Sequence, residues 1–192
     1  MQDDFSNITK YLFEAGTLKR VKRSGWWLAG IKDPESVAEH SFRTAVVAFV
    51  LAKLECQDDS IANKICSAAV FHDIHECRIL DVNKVAAKYI DKQEVLGSKV
   101  EQEQIAMLPN ELKQSVNHLY NLSEREKTIL KDADLLEMAL QAKEYLEIGY
   151  TAAEEWLVSI EKRLKTPTAK KLMDKIKTMK STEWYANLKK LD

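Results

Sequence analysis

The sequence predicts an all-α fold, a single-domain helical bundle, and three observations carry that expectation. The 192 residues include only 5 Gly and 3 Pro, too few breakers for the turns of a β-sandwich or a Gly-rich dinucleotide fold. Apolar residues recur at spacings of three and four along the chain, and no stretch alternates as a half-buried strand does. Ser36, Ser123 and Thr151 each stand three residues before a Glu, the pattern of a helix N-terminus. At 22.0 kDa the chain fits one domain with a sizeable core.

Taken in order, Phe5, Ile8, Leu12 and Phe13 define a first amphipathic helix ending near Gly16. A basic, aromatic segment follows, Lys19-Arg20-Val21-Lys22-Arg23-Ser24-Gly25-Trp26-Trp27, and reads as an irregular connection to Pro34. Ser36-Val37-Ala38-Glu39 has capping-box form. It opens a helix to about Glu55 whose Val46, Val47, Phe49, Val50, Leu51 and Leu54 predict deep burial. Asp58 or Asp59 caps a third helix through Ile61, Ile65, Ala68, Ala69 and Phe71, ending near His72–Glu76. Residues 77–82 read as a turn, and 83–108 as one or two helices interrupted near Gly97. Pro109 starts a short helix. Ser123-Glu124-Arg125-Glu126 opens a long one through Ile129, Leu136 and Tyr145 to Gly149, and Thr151-Ala152-Ala153-Glu154 is a third capping box. Thr166-Pro167-Thr168 precedes a Lys-rich helix with Leu172, Ile176 and Met179 on one face.

Composition narrows the function. The net charge is −1, so no global positive field recruits a nucleic-acid polymer. No uncharged apolar run reaches the ~18 residues of a membrane span. The start, MQDDFSNITKYLFEAG, lacks the basic-then-apolar layout of a secretory leader. Cys56, Cys66 and Cys77 form no two-residue-spaced pair, which fits a reducing compartment and a cytoplasmic protein.

The residues that carry chemistry sit in three places. Phe71-His72-Asp73-Ile74-His75-Glu76 ends an apolar helix, and His72 and Glu76 are four apart, on one helical face. His40 stands in the first turn of another apolar helix. Lys131-Asp132-Ala133-Asp134 puts carboxylates within a long helix, where Leu130, Ala133 and Met138 surround Asp134. Two imidazoles and two carboxylates, His40, His72, Asp73 and Asp134, suit a divalent first-row ion: Mn, Fe, Co, Ni or Zn. Four protein ligands in an octahedral shell leave two positions for water and substrate oxygen, as metal-assisted hydrolysis requires. His75 reads as facing solvent or orienting a metal ligand, His118 as a surface residue, and Lys170, Lys171, Lys175, Lys177 and Lys180 as a solvated face.

The ordered set Arg23-Ser24-Gly25-Trp26, Pro34-Glu35-Ser36-Val37-Ala38-Glu39-His40-Ser41, His72-Asp73-Ile74-His75-Glu76, Asp81 and Lys131-Asp132-Ala133-Asp134 resembles the HD-domain metal-dependent phosphohydrolases, 5′-deoxynucleotidase branch. The resemblance spans roughly residues 10–150. It implies a helical domain over 1–192, with a metal-site core at about 20–150 and C-terminal helices at 151–192. It implies hydrolysis of deoxyribonucleoside 5′-monophosphates, one divalent ion, often cobalt or manganese, and a homodimer. By position, His40, His72, Asp73 and Asp134 would hold the metal. Glu76 would be the acid/base group, with Asp81 assisting near the nucleotide. Arg23 and Trp26 would contact phosphate and sugar or base. Trp27 competes with Trp26, and Asp132 with Asp134. Members that place Arg and Trp side by side differ from this chain, where Ser24 and Gly25 intervene.

The chemistry agrees with these roles. A phosphate monoester dianion repels hydroxide, so catalysis needs cationic charge and positioning. An Arg fork grips phosphate oxygens in a way Lys does not. The sugar alkoxide leaves poorly without a proton donor, and Glu76 could act there as acid or as base for water. Two further readings keep part of this pattern: hydrolysis of a nucleoside triphosphate or cyclic nucleotide, and a non-catalytic nucleotide-binding module.

Overall fold

The computed structural model describes residues 2–91 and 93–188. Its helices are α1 (Gln2–Ala15), α2 (Val37–Cys56), α3 (Asp59–Phe71), α4 (Glu76–Ile79), α5 (Gln93–Ala106), α6 (Asn110–Tyr120), α7 (Glu124–Glu147), α8 (Glu154–Glu161) and α9 (Pro167–Thr178), joined in part by short 3-10 segments. Among the described residues there is no strand, only one isolated antiparallel bridge between Lys22 and Ser36. Among them, too, no helix is long and apolar enough to cross a membrane.

Local chemistry accounts for the main helix starts. Ser36 Oγ accepts from Glu39 N, while Ser36 N donates to Glu39 Oε2 at 2.6 Å, and Ser123 and Glu126 repeat this reciprocal pair at α7. Asp58 accepts from Ser60 N and Ile61 N to start α3. Thr166 caps α9 with Pro167 in its first turn.

The core is the α2–α3–α7 layer. Ala45, Ala48 and Ala52 of α2 meet Ala62, Ile65 and Ala69 of α3 and Ile129, Ala133, Leu136 and Ala139 of α7. Small side chains at these positions let the three helices approach closely, which brings polar residues on the same faces within reach of one another. Leu157, Ile160, Ala169 and Met173 of α8 and α9 cover the other side of α7. A second cluster, Tyr11, Ile74, Leu108 and Val116, ties α1, α5 and α6 to the turn after α3.

Five expectations are corrected. In α1 the packed residues are Ile8, Tyr11 and Ala15, while Phe5, Leu12 and Phe13 are exposed. In α2 only Leu51 of the apolar run is fully buried; Val46, Phe49, Val50 and Leu54 join Phe42 on an exposed face. The alanines take the inward positions, so the bulky residues line the side that α3 and α7 leave uncovered. Gly97 does not interrupt a helix. It lies within α5, against the His75 ring, where an added Cβ would meet the ring at 3.2 Å. Residues 77–82 are not all turn, since α4 occupies the first three of them; the chain reverses at Leu80, whose φ is 63°. Thr151–Glu154 makes no capping box: a 3-10 segment runs from Thr151 to Ala153, and α8 begins with no side-chain cap.

Candidate metal centre and pocket

Pairing of the chain around Val21–Arg23 with Glu35–Val37 sets the Arg23 loop beside the start of α2. Arg23 N donates to Glu35 O at 3.0 Å and Val37 N to Val21 O at 2.8 Å. His40, one turn into α2, is fully buried against α7. The last turn of α3 delivers His72, whose Nδ1 donates to Ala69 O at 2.7 Å. The tight turn that follows turns Asp73 back toward the same point and places Glu76 at the first position of α4.

The structure brings His40, His72, Asp73 and Asp134 together. His40 Nε2 lies 3.3 Å from Asp134 Oδ1 and 3.7 Å from Asp73 Oδ2, and His72 Nε2 lies 3.1 Å from Asp73 Oδ2. One donor atom from each of His40, His72 and Asp134 falls within 4.8 Å of the others. Asp132, the competing aspartate, points away: its carboxylate accepts from Lys165 N at 3.1 Å and Thr166 N at 2.6 Å, and so tethers the approach to α9.

The donor set fits a divalent cation. Each imidazole has Nδ1 anchored, His72 to a carbonyl and His40 to Glu137 Oε2, leaving both Nε2 atoms facing the aspartates. His72 Nε2 is buried without a hydrogen-bond partner, the position of a nitrogen lone pair offered to an ion. Burial alone would raise the Asp73 carboxyl, but the charges of His72, Arg23 and His40 hold it well below the usual carboxylate range. Asp134 is likewise held low, against burial, by His40 and Lys131, whose Nζ sits 2.6 Å from Oδ2. Burial and Arg23 work to neutralise His40, yet its bonds to Asp134 and Glu137 push it up to about 10. Both aspartates therefore stay ionised beside the two Nε2 atoms.

The remaining predicted residues surround this cluster in a pocket of about 440 Å³ lined by Arg23, Trp26, Asp73, Glu76, Asp81 and Asp134 among others. Arg23 Nη1 lies 3.4 Å from Asp73 Oδ2 and 3.7 Å from Asp81 Oδ2. Asp81 Oδ2 accepts from Ser24 N at 2.9 Å, and Ser24 Oγ donates to the Asp81 carbonyl at 2.8 Å, so Asp81 fixes the Arg23 loop to the pocket. Glu76 Oε2 is buried without a partner. Burial, then the charges of Asp73 and Asp81, push the Glu76 carboxyl up to about 9. Trp26 forms a pocket wall, almost wholly buried between Trp156 and Tyr145, with Nε1 donating to Glu35 at 3.0 Å. Trp27 is half-exposed and does not line the pocket.

Sequence reasoning missed two groups. Glu137, three residues after Asp134 and fully buried, contacts His40; its spacing from Asp134 was the available signal. Trp156, Ser159 and Arg163 of the α8 region line the pocket, and nothing local in the sequence ties them to it. His75 lies apart, 3.1 Å from Glu101, and His118 is exposed.

A family model described as HD domain matches residues 15–177. The human protein named 5′-deoxynucleotidase HDDC2 is 33% identical over 151 residues, covering 75% of this chain and 71% of that one. The zebrafish (Danio rerio) protein of the same name is 32% identical over 174 residues, 84% of this chain and 82% of that one. Among solved structures, a conserved hypothetical protein from Pyrococcus furiosus superposes with a TM-score of 0.71 at 29% identity, covering 89% of this chain and 99% of that one.

Proposed function

Because this chain belongs to the HD-domain family, we propose that it is a metal-dependent phosphomonoester hydrolase, a 5′-deoxynucleotidase that converts deoxyribonucleoside 5′-monophosphates to deoxynucleoside and phosphate. The observation that carries the reading is the convergence of His40, His72, Asp73 and Asp134, the two aspartates of which line a pocket together with Arg23 and Glu76. Relatives named 5′-deoxynucleotidase support the substrate class.

His40, His72, Asp73 and Asp134 are the ligands of one divalent ion, with cobalt or manganese the favoured metals. When bound, that ion supplies positive charge against the phosphate dianion and activates water. Arg23 grips the phosphate oxygens with a charge that does not titrate. Its fork is pre-aimed by Asp81, which anchors the loop through Ser24. In the metal-free pocket, burial and the charges of Asp73 and Asp81 raise the Glu76 carboxyl so that it keeps its proton near neutrality. This suits it to protonate the departing 5′-oxygen, the step for which a sugar alkoxide most needs help. Trp26 is a rigid wall that shapes the space for sugar or base.

We read the C-terminal helices as part of the same domain as the metal-site core, a reading supported by the α8 residues in the pocket wall. The protein works as a homodimer in the cytoplasm. The dimer is supported by the exposed stripe Phe42, Val46, Phe49, Val50 and Leu54 along α2, and the compartment by three unpaired cysteines.

The test is a phosphate-release panel with added Co²⁺ or Mn²⁺ over deoxynucleoside mono-, tri- and cyclic phosphates. The proposal requires turnover of the 5′-monophosphates that chelator abolishes. Activity surviving complete metal removal, or turnover confined to triphosphates or cyclic nucleotides, rejects it.

A further inference from the structure

We propose that Glu137, backed by Arg43, is a positioning residue that holds the His40 ring so that Nε2 faces the cation; this rests on the metal-site reading above. The geometry is a three-part relay running inward from the surface. Arg43 is partly exposed on α2 and donates from Nε to Glu137 Oε1 at 3.0 Å, while its two other nitrogens bind Glu144 Oε1 at 2.7 Å and Gln141 Oε1 at 2.9 Å. Its plane is therefore held at three points along α7. Glu137 is fully buried, and its second oxygen, Oε2, bonds His40 Nδ1. With Nδ1 bound to a carboxylate, the ring that has given up its Nε2 hydrogen to make room for a cation keeps its remaining hydrogen on Nδ1 and offers the Nε2 lone pair. Nε2 is the atom that faces Asp134 and Asp73.

A competing use of the same atoms is a second ion held by Glu35, His40 and Glu137, whose donor atoms also lie close together. The hydrogen bonds favour the positioning role. Both Glu137 oxygens are already taken, by Arg43 and His40, and Glu35 Oε1 accepts from Trp26 Nε1 at 3.0 Å. The unpartnered nitrogen in the neighbourhood is His72 Nε2, on the other side of His40. A purely structural role for Glu137 is also a poor fit. A fully buried carboxylate is costly to desolvate, and buried ion pairs are often replaced by apolar residues of similar volume with little loss of stability.

The experiment titrates metal-free protein with Co²⁺, following its visible absorption, for wild type, Glu137→Gln and Arg43→Met. Gln keeps the shape and a neutral hydrogen bond but removes the charge. The expected result for Glu137→Gln is a Co²⁺ affinity lower by about tenfold to a hundredfold at unchanged far-ultraviolet circular dichroism. Arg43→Met, away from the pocket, should give a smaller loss in the same direction. Nitrogen-detected imidazole spectra of the zinc-loaded wild type should show His40 with its hydrogen on Nδ1, a readout that packing alone does not dictate. Equal Co²⁺ affinity in wild type and Glu137→Gln overturns the proposal while leaving the metal site intact. If Glu137→Gln does not fold, unchanged affinity in Arg43→Met, or a His40 hydrogen on Nε2, overturns it. Failure of the wild type to bind Co²⁺ at all instead rejects the functional reading on which it rests.

Discussion

Replacing Glu76 with Gln separates two consequences of one buried carboxyl. Glu76 is pushed from the ordinary 4.5 to about 9 by burial and by the charges of Asp73 and Asp81. The folded metal-free protein therefore binds this proton more tightly than the unfolded chain does. Its contribution to stability is fully present below about pH 4.5 and is lost as pH rises toward 9. Between pH 5 and pH 8 the unfolded chain releases the proton and the folded one keeps it. At roughly 1.4 kcal/mol per pH unit that is about 4 kcal/mol of lost stability, and on the order of half as much once the pocket relaxes around the charge. Gln carries no proton to lose. Thermal melts of metal-free protein should show wild type falling relative to Glu76→Gln by roughly 5–10 °C across this interval, since about 1 kcal/mol moves a chain of this size by ~3 °C. Titrating groups away from the pocket are common to both proteins and cancel in the comparison. With Co²⁺ present, the same variant should bind the ion within a few-fold of wild type and lose about 10²–10⁴ in kcat. Parallel pH–stability curves would refute the burial argument, and an unchanged rate would remove Glu76 from the proton-transfer step.

Three other substitutions bear on separate parts of the account. Arg23→Lys should lower kcat/KM by about tenfold to a hundredfold, because a point charge replaces a two-pronged grip worth ~1.5–3 kcal/mol; steady-state kinetics showing no change would take phosphate binding away from Arg23. Asp132→Ala strips the acceptor from Lys165 N and Thr166 N and should cost about 3 kcal/mol, or ~10 °C in Tm, with metal content unchanged. Loss of metal in that variant would reverse the choice between Asp132 and Asp134. Phe42→Glu places a charge in the exposed α2 stripe; if that stripe is the seam of the proposed dimer, wild type sediments as a dimer and the variant as a monomer, whereas a monomeric wild type or an undisturbed dimer in the variant would reject the assignment.

What could be read from the sequence was what is encoded locally. Ser36 and Ser123 reveal their helices because a capping box is closed within four residues. His72, Asp73 and Glu76 stand out because the chemistry-bearing types crowd one helix end. His40 and Asp134 could be added only by spacing and residue type, and the structure sets them 3.3 Å apart through the alanine-lined contact of α2 with α7. The misread features depend on partners that local sequence does not name. Val46 and Phe49 look like core until Ala45, Ala48 and Ala52 take the inner face. Gly97 looks like a breaker until His75 is found packed against it. Glu137 looks like one more charge on a long helix until His40 and Arg43 close on it from α2.

The central claim is that side chains from α2, the turn after α3 and α7 form one cation site. Elemental analysis of metal-reconstituted wild type and Asp73→Ala, with circular dichroism recorded on the same samples, tests it most directly. The account predicts close to one divalent ion per wild-type chain and nearly none in the variant, with helix content little changed. Equal metal content in the two folded proteins would contradict it.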